Sequence, residues 1–364
     1  MDETSIGTGP SAQQAGDAPE RRGPIFIIGA MGTGTTLLRL MLDSHEHIAV
    51  PHETGFMRTY NAMRFVPFKW TGRRWAQRLG WSVAEFDREA AAFFEHMFQR
   101  YVEANGKQRW GEKTPLHTWH ISGMKRLFPD AQFVGIVRHP GGSTASNMSR
   151  FEHAIEQATG HYDRYVRELT RQAARYPKRF VVLRYEDLVL RPEPVMRALL
   201  DWLGEPWSDR VLEHHVVQGA RHHSRIEGKT RAEDAIDVSR IDKWMRTMSP
   251  EERAAVGERL ARLGEFYGYS MDAAAPAPIT EDDSPLITGA QIAARRKQFP
   301  DLDLKTQPPV PRAEQFLDPH QFSLAAVPHR AKTEPKRRSL GDLVRRVPSR
   351  LREDLGALRG RART

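Results

Sequence analysis

The segment Ile25-Phe26-Ile27-Ile28-Gly29-Ala30-Met31-Gly32-Thr33-Gly34-Thr35-Thr36-Leu37-Leu38 limits the fold more than any other stretch of the chain. Four consecutive apolar residues predict a strand buried on both faces, the glycines and threonines a turn, and the residues from Thr35 onward a helix. A strand that passes through a glycine-rich turn into a helix aims several backbone N–H groups and the positive end of the helix dipole at one point. The expected occupant of that point is an anion. The phosphate-loop spacing G-x-x-x-x-G-K-[ST] is met from Gly29 to Thr36, except that Thr35 stands where the lysine belongs. Without that lysine, nucleotide hydrolysis and kinase chemistry lose a main source of charge stabilisation.

Further strands are predicted over 47–50, 132–137 and 179–183, and helices over 35–44, 83–105, 115–128, 142–155, 162–176 and 192–203. Strands separated by amphipathic helices specify parallel pairing with crossover connections. A last helix near 249–267 is announced by Ser249-Pro250-Glu251-Glu252, an N-cap followed by a proline at the first helical position and acidic residues in the first turn. Residues 1–22 read as a disordered N-terminal segment and 23–270 as one α/β domain. Residues 271–338 read as a Pro-rich linker and 339–364 as a basic tail with apolar residues at helical spacing.

The chain of 364 residues is long enough for a sizeable core, and it has no cysteine, which excludes disulfides, thiolate metal sites and cysteine nucleophiles. Its net charge of +9 is concentrated at one end, because residues 331–364 hold eleven Lys/Arg against four Asp/Glu. That placement argues against a nucleic-acid partner for the domain and makes the tail a candidate for peripheral membrane contact. No spanning segment or secretory signal is apparent, so a cytoplasmic protein is expected, with the tail peripheral at the membrane. His214-His215 and His222-His223 do not guarantee converging ligands, and no metal is expected. The oligomeric state is open.

Three segments carry a family resemblance. Gly34-Thr35-Thr36-Leu37-Leu38-Arg39, followed by Met41-Leu42-Asp43-Ser44-His45 and Pro51-His52-Glu53-Thr54, resembles the 5′-phosphosulfate segment of sulfotransferases that use 3′-phosphoadenosine 5′-phosphosulfate. Phe133-Val134-Gly135-Ile136-Val137-Arg138-His139-Pro140, with Ser146 eight residues after Arg138, resembles that family's 3′-phosphate motif, and Trp110-Gly111-Glu112-Lys113-Thr114-Pro115 its Lys-x-Pro motif. The resemblance extends to the tyrosylprotein and carbohydrate sulfotransferases.

It implies a three-layer P-loop-like α/β domain with a central parallel sheet. It also implies transfer of a sulfuryl group to an acceptor hydroxyl of a carbohydrate, lipid, small metabolite or tyrosine. Glu53 is then the general base and Lys113 the cation at the developing charge. Gly32, Thr33, Gly34, Thr35 and Thr36 hold the 5′ end of the donor, Arg138 and Ser146 its 3′-phosphate, and Tyr185 and Lys243 flank the nucleotide. Members usually carry Arg or Lys followed by Ser where this chain has Gly32-Thr33, so either Lys113, Arg39 or a substrate-side group supplies the missing charge, or the activity is weakened or the ligand is a different one. The rival readings are a P-loop kinase or other phosphotransferase, and a degenerate sulfotransferase fold that serves as a binding module.

Overall fold

The computed structural model describes residues 22–65, 75–219, 234–276 and 284–304. The N-terminal segment up to residue 21 and the basic tail lie outside them.

β1 (Ile25–Ile28) turns through 29–34 into α1 (Thr35–Ser44), and β2 (Ile48–Ala49) follows. Helices α2 (Phe56–Phe65), α3 (Trp75–Arg78) and α4 (Val83–Ala104) lead to β3 (Arg109–Lys113). A 3₁₀ turn (Pro115–His120) and α5 (Ile121–Leu127) then connect to β4 (Gln132–Val137). After β4 come α6 (Pro140–Phe151), α7 (Ile155–Arg175), β5 (Phe180–Arg184), α8 (Tyr185–Leu190) and α9 (Pro192–Leu203). The remaining described elements are α10 (His214–Gly219), α11 (Lys243–Thr247), α12 (Pro250–Phe266), β6 (Ile287–Thr288) and α13 (Gly289–Arg295).

The strands form one six-stranded sheet in the order β2-β3-β1-β4-β5-β6. The first five run parallel, and β6 pairs antiparallel with β5. Alternation along each strand sorts the side chains into two layers. Phe26, Ile28, Phe133, Val137, Phe180 and Val182 pack with α2, α4, α5, α7 and α12. Ile25, Ile27, Val134, Ile136, Val181 and Leu183 pack on the other face with α1, α8 and α9. Phe26 anchors the first layer, with ring contacts to Phe56, Trp110, Phe128 and Phe133 at centroid distances of 5.5 to 6.1 Å.

The predicted cap of the 249–267 helix is present as a full capping box. The Ser249 hydroxyl accepts from the Glu252 amide while the Glu252 carboxylate accepts from the Ser249 amide.

Three sequence expectations need correction. β3, Arg-Trp-Gly-Glu-Lys, was not anticipated, because three charged residues in five hide a strand buried along its whole length. The single helix expected over 115–128 is divided into a 3₁₀ turn and α5. Within the expected Pro-rich linker, residues 284–304 instead add β6 and α13 to the domain, where Ile292 is buried and Gly289 packs directly on Ala173 and Pro177. The α13 cap, Thr288 with Gln291, is a capping box that the Pro-rich surroundings obscure. Among the described residues no helix is long and apolar enough to cross a membrane.

Candidate functional site

Because β1 to β5 are parallel, everything that follows their C-terminal ends gathers along one edge of the sheet. The chain places β2 and β3 on one side of β1 and β4 and β5 on the other, so the connections diverge above β1. Open α/β sheets bind ligands in the crevice at such a reversal. The anion loop follows β1, Glu53 follows β2, Lys113 ends β3, Arg138 follows β4 and Tyr185 follows β5. All of these sequence-predicted residues are therefore brought to one edge by topology alone.

The loop is shaped by two glycines. Gly32 at φ 84° and Gly34 at φ 100° occupy the left-handed region, which glycine enters without the steric cost of a Cβ. The Thr33 hydroxyl donates to the Ala30 carbonyl at 2.7 Å and closes the turn, and Gly34 stands at the N-cap of α1, with Thr35 and Thr36 in the first turn. A Cβ on Gly34 would lie 2.4 Å from the Tyr185 ring. One on Gly32 would lie 3.0 Å from Asn147 Nδ2 and 3.2 Å from Ser146 Cβ. Glycine at position 32 thus lets the loop backbone close onto α6. Three hydrogen bonds fix that approach: Asn147 Nδ2 donates to the Met31 carbonyl at 2.7 Å, the Ser143 hydroxyl to the same carbonyl at 3.3 Å, and Arg138 to the Gly32 carbonyl at 3.1 Å.

Arg138 is nearly enclosed, with its guanidinium 4.4 Å over the Tyr185 ring and one Nη donating to the Arg240 carbonyl at 2.6 Å. Its Nε is buried without a hydrogen-bond partner. Burial raises the Tyr185 pKa and Arg138 opposes the rise, leaving the phenol neutral with its pKa above the usual value. Beneath Arg138, the Tyr162 hydroxyl donates to its carbonyl at 2.7 Å. Ser146 lies half-buried on α6, one and a half turns into the helix. Lys243 is exposed at the start of α11. The neighbouring Trp244 stacks on His139 at 4.5 Å, and Arg240, rather than Lys243, reaches Arg138 through its carbonyl.

At the other end of the site, Lys113 Nζ donates to Glu53 Oε1 at 2.5 Å, with Lys113 fully buried and Glu53 45% exposed. The pair couples a closed-in cation to a carboxylate that solvent or substrate can reach. Arg39 Nη1 donates to the Val50 carbonyl at 3.2 Å and braces the chain after β2.

Sequence reasoning missed Glu112, Ser143, Asn147 and Arg240. Ser143 and Asn147 share a face of α6 at a spacing of four, a detectable signal once Arg138 had been placed. Arg240 acts through a main-chain carbonyl and leaves no side-chain signature. One cluster among the described residues, His45, His47 and Glu205, brings ligand atoms within 4.8 Å of one another. Both His45 nitrogens already bond, to the Pro206 carbonyl and the His47 amide, and Arg109 holds Glu205 at 3.0 Å, so these groups satisfy one another. Of the histidine pairs noted in the sequence, His214-His215 begins α10 and the second pair lies outside the described residues.

Comparison with known proteins gives consistent answers. A family model described as "Sulfotransferase family" matches residues 24–209. Protein-tyrosine sulfotransferase 1 of Danio rerio is 27% identical, over 71% of this chain and 77% of its own length. Protein-tyrosine sulfotransferase 2 of Gallus gallus is 28% identical, over 71% of this chain and 74% of its own. Among solved structures, the sulfotransferase domain from the Synechococcus PCC 7002 olefin synthase aligns at 19% identity and a TM-score of 0.48, covering 71% of this chain and 99% of that one. The family match spans more than half of the chain and contains the anion loop, Glu53, Lys113, Arg138 and Tyr185: the chain belongs to the sulfotransferase family, the enzymes of sulfuryl transfer.

Proposed function

We propose that the chain transfers a sulfuryl group from 3′-phosphoadenosine 5′-phosphosulfate to an acceptor hydroxyl, with Glu53 as the base and Lys113 as the charge-stabilising cation. The observation that carries this reading is the contact of Lys113 Nζ with Glu53 Oε1 at 2.5 Å, on a strand whose register sets Lys113 opposite Ile27 of β1. Adjacent strands lie about 4.8 Å apart, so the cation stands one strand from the point where the anion loop begins.

The residues present fit a nucleotide with phosphate groups at both ends. The glycine turn and the α1 N-terminus suit the 5′ end, and Arg138 suits the 3′-phosphate through a buried Nε that lacks a partner. Ser146, on the helix that begins just after Arg138, adds a hydroxyl there, and Tyr185 stacks beneath the guanidinium. When bound, the donor supplies an activated sulfuryl group and a leaving group that departs as an anion. Glu53 Oε1 or Oε2 accepts the proton of the acceptor hydroxyl, a step that a positioned carboxylate accelerates by roughly 10²- to 10⁴-fold. Lys113 Nζ then donates toward oxygen on which negative charge grows, with little water near it because the side chain is buried. Thr35 in place of a phosphate-loop lysine supports this reading over a kinase.

Among acceptors, a tyrosine hydroxyl is favoured, because both curated relatives above are protein-tyrosine sulfotransferases and a phenol with a pKa near 10 gives up its proton to a carboxylate more readily than an alcohol does. The test is incubation with ³⁵S-labelled donor and either a tyrosine-containing peptide or a metabolite extract, with calorimetric titration of 3′,5′-adenosine bisphosphate alongside. The reading predicts a labelled product and bisphosphate binding that ATP with magnesium does not displace. Phosphoryl transfer from ATP, or no bisphosphate binding, contradicts it.

A further inference from the structure

Glu112 is buried to 1% exposure. It precedes Lys113 on β3, so the two side chains leave opposite faces of the sheet. Register confirms this: Glu112 lies opposite Phe26, which belongs to the layer of α2 and α5, while Lys113 lies opposite Ile27, which faces α1. A buried carboxylate is costly unless donors surround it. Glu112 has four. The Thr54 amide at 3.2 Å, the Thr54 hydroxyl at 2.9 Å and the Thr114 hydroxyl at 2.6 Å all donate to Oε1, and His117 Nδ1 bonds Oε2 at 2.6 Å. The Thr114 hydroxyl also accepts from the Gly55 amide at 3.3 Å.

Every one of these bonds bears on the two reacting side chains. Thr54 and Gly55 directly follow Glu53, in a loop whose residues Glu53 and Thr54 are exposed and have little packing of their own. Thr114 directly follows Lys113. We infer that Glu112 is a positioning residue for the transfer reaction: through Thr54 it fixes the segment that carries Glu53, and through the backbone of β3 and Thr114 it fixes Lys113, so that one buried carboxylate sets the geometry of base and cation together. His117 completes the arrangement. Its Nδ1–H faces an oxygen that only accepts, its ring meets Phe56 edge-on at 5.0 Å, and that contact ties the carboxylate to the first turn of α2. Burial pushes the Glu112 pKa up, but His117 and the hydroxyl and amide donors outweigh it and hold the group below the ordinary carboxylate value, hence ionised.

The inference rests on Glu53 being the base, and the test separates the two. Bisphosphate release from the labelled donor is followed with a tyrosine-containing peptide as acceptor and with water alone, for the wild type, Glu112→Gln, Glu53→Gln and the double variant. Hydrogen exchange at the Thr54 and Gly55 amides and the affinity for 3′,5′-adenosine bisphosphate are measured on the same proteins. Glu112→Gln keeps the shape but gives Oε1 or Oε2 over to an amide nitrogen that repels the Thr54 or His117 donor. A misplacement of about 1 Å at a reacting group costs up to roughly 100-fold. The expected result is a kcat lower by about 10- to 100-fold, faster exchange at Thr54 and Gly55, bisphosphate affinity within about twofold, and, when Glu112→Gln is added to Glu53→Gln, a further loss through Lys113 that falls well short of the product of the two single losses. Thr54→Val should reproduce the kcat loss and Thr54→Ser should restore most of it, which keeps the test decisive even where Glu112→Gln does not fold. Losses that multiply in the double variant, or unchanged exchange at Thr54 and Gly55, overturn the inference while leaving the base assignment intact. An unaffected Glu53→Gln overturns the base assignment itself.

Discussion

β1 and β3 lie side by side at the centre of the same sheet and are buried along their whole lengths, yet they are built from opposite materials. β1 is Ile-Phe-Ile-Ile, and each side chain meets apolar neighbours in one of the two layers. β3 is Arg-Trp-Gly-Glu-Lys, and each of its three charges has a dedicated set of partners. Arg109 donates to the Gly23 and Leu203 carbonyls at 2.8 and 2.9 Å and to Glu205 at 3.0 Å, Glu112 collects four donors, and Lys113 meets Glu53. The apolar strand supplies stability without direction, and its C-terminal end only has to launch the loop. The charged strand takes on the desolvation of three ions, and in the proposed mechanism two of them, Glu112 and Lys113, serve the chemistry at its end.

The difference makes distinct predictions for the two strands. The largest effect expected is on stability, from Phe26→Ala in β1. Removing a ring with four aromatic neighbours should cost about 3 to 5 kcal/mol in a denaturant titration, with turnover per folded molecule unchanged. Lys113→Met in β3 should do the reverse, lowering the transfer rate by roughly 10²- to 10³-fold while melting temperature and bisphosphate affinity stay near wild type. If Lys113→Met instead unfolded the protein at normal specific activity, β3 would be a structural strand and the contrast would fail. Arg138→Ala, just after β4, should have a smaller effect than either, weakening 3′,5′-adenosine bisphosphate by roughly 10- to 100-fold in calorimetry, as loss of a charged hydrogen-bonding group of about 1.5 to 3 kcal/mol requires.

The smallest effect is acid lability of the support around the site. Burial and the adjacent Arg138 push the His139 pKa down to about 4 from 6.5, against the raising effect of its bond to Ser270, and His120, His161 and His214 are also lowered to about 4. A folded-state pKa below the unfolded one means that the unfolded chain takes up protons first as pH falls. The stability contributed by the neutral histidines is therefore complete above about pH 6.5 and is lost progressively toward pH 4. A melting temperature lower by about 5 °C or more at pH 5 than at pH 7 is expected, and a flat profile would show that these rings gain compensating partners when charged.

The same contrast explains what was legible in the sequence. β1, β4 and α9 were read with their observed bounds because hydrophobic runs and caps act locally. Glu53, Arg138 and Tyr185 were singled out because each follows a strand that the apolar pattern could place, and Lys113 and Ser146 because they stand in segments that carry the family resemblance. β3 stayed hidden because what compensates its charges comes from Glu205, Leu203 and Glu53, residues far along the chain whose proximity only the tertiary fold creates. Glu112 was passed over for the same reason, as its value to the site depends on Thr54, 58 positions away. Residues 284–304 were assigned to a linker because a two-residue strand and a helix of seven have no periodicity long enough to stand out from a Pro-rich background.

The central claim is that the exposed Glu53 carboxylate, which follows β2 and meets Lys113 at the end of the charged strand, removes the acceptor's proton, and Glu53→Gln tests it most directly. Single-turnover transfer of ³⁵S from labelled donor should be slower than wild type by at least about 100-fold, with bisphosphate affinity unchanged. Equal single-turnover rates for the two proteins would contradict it.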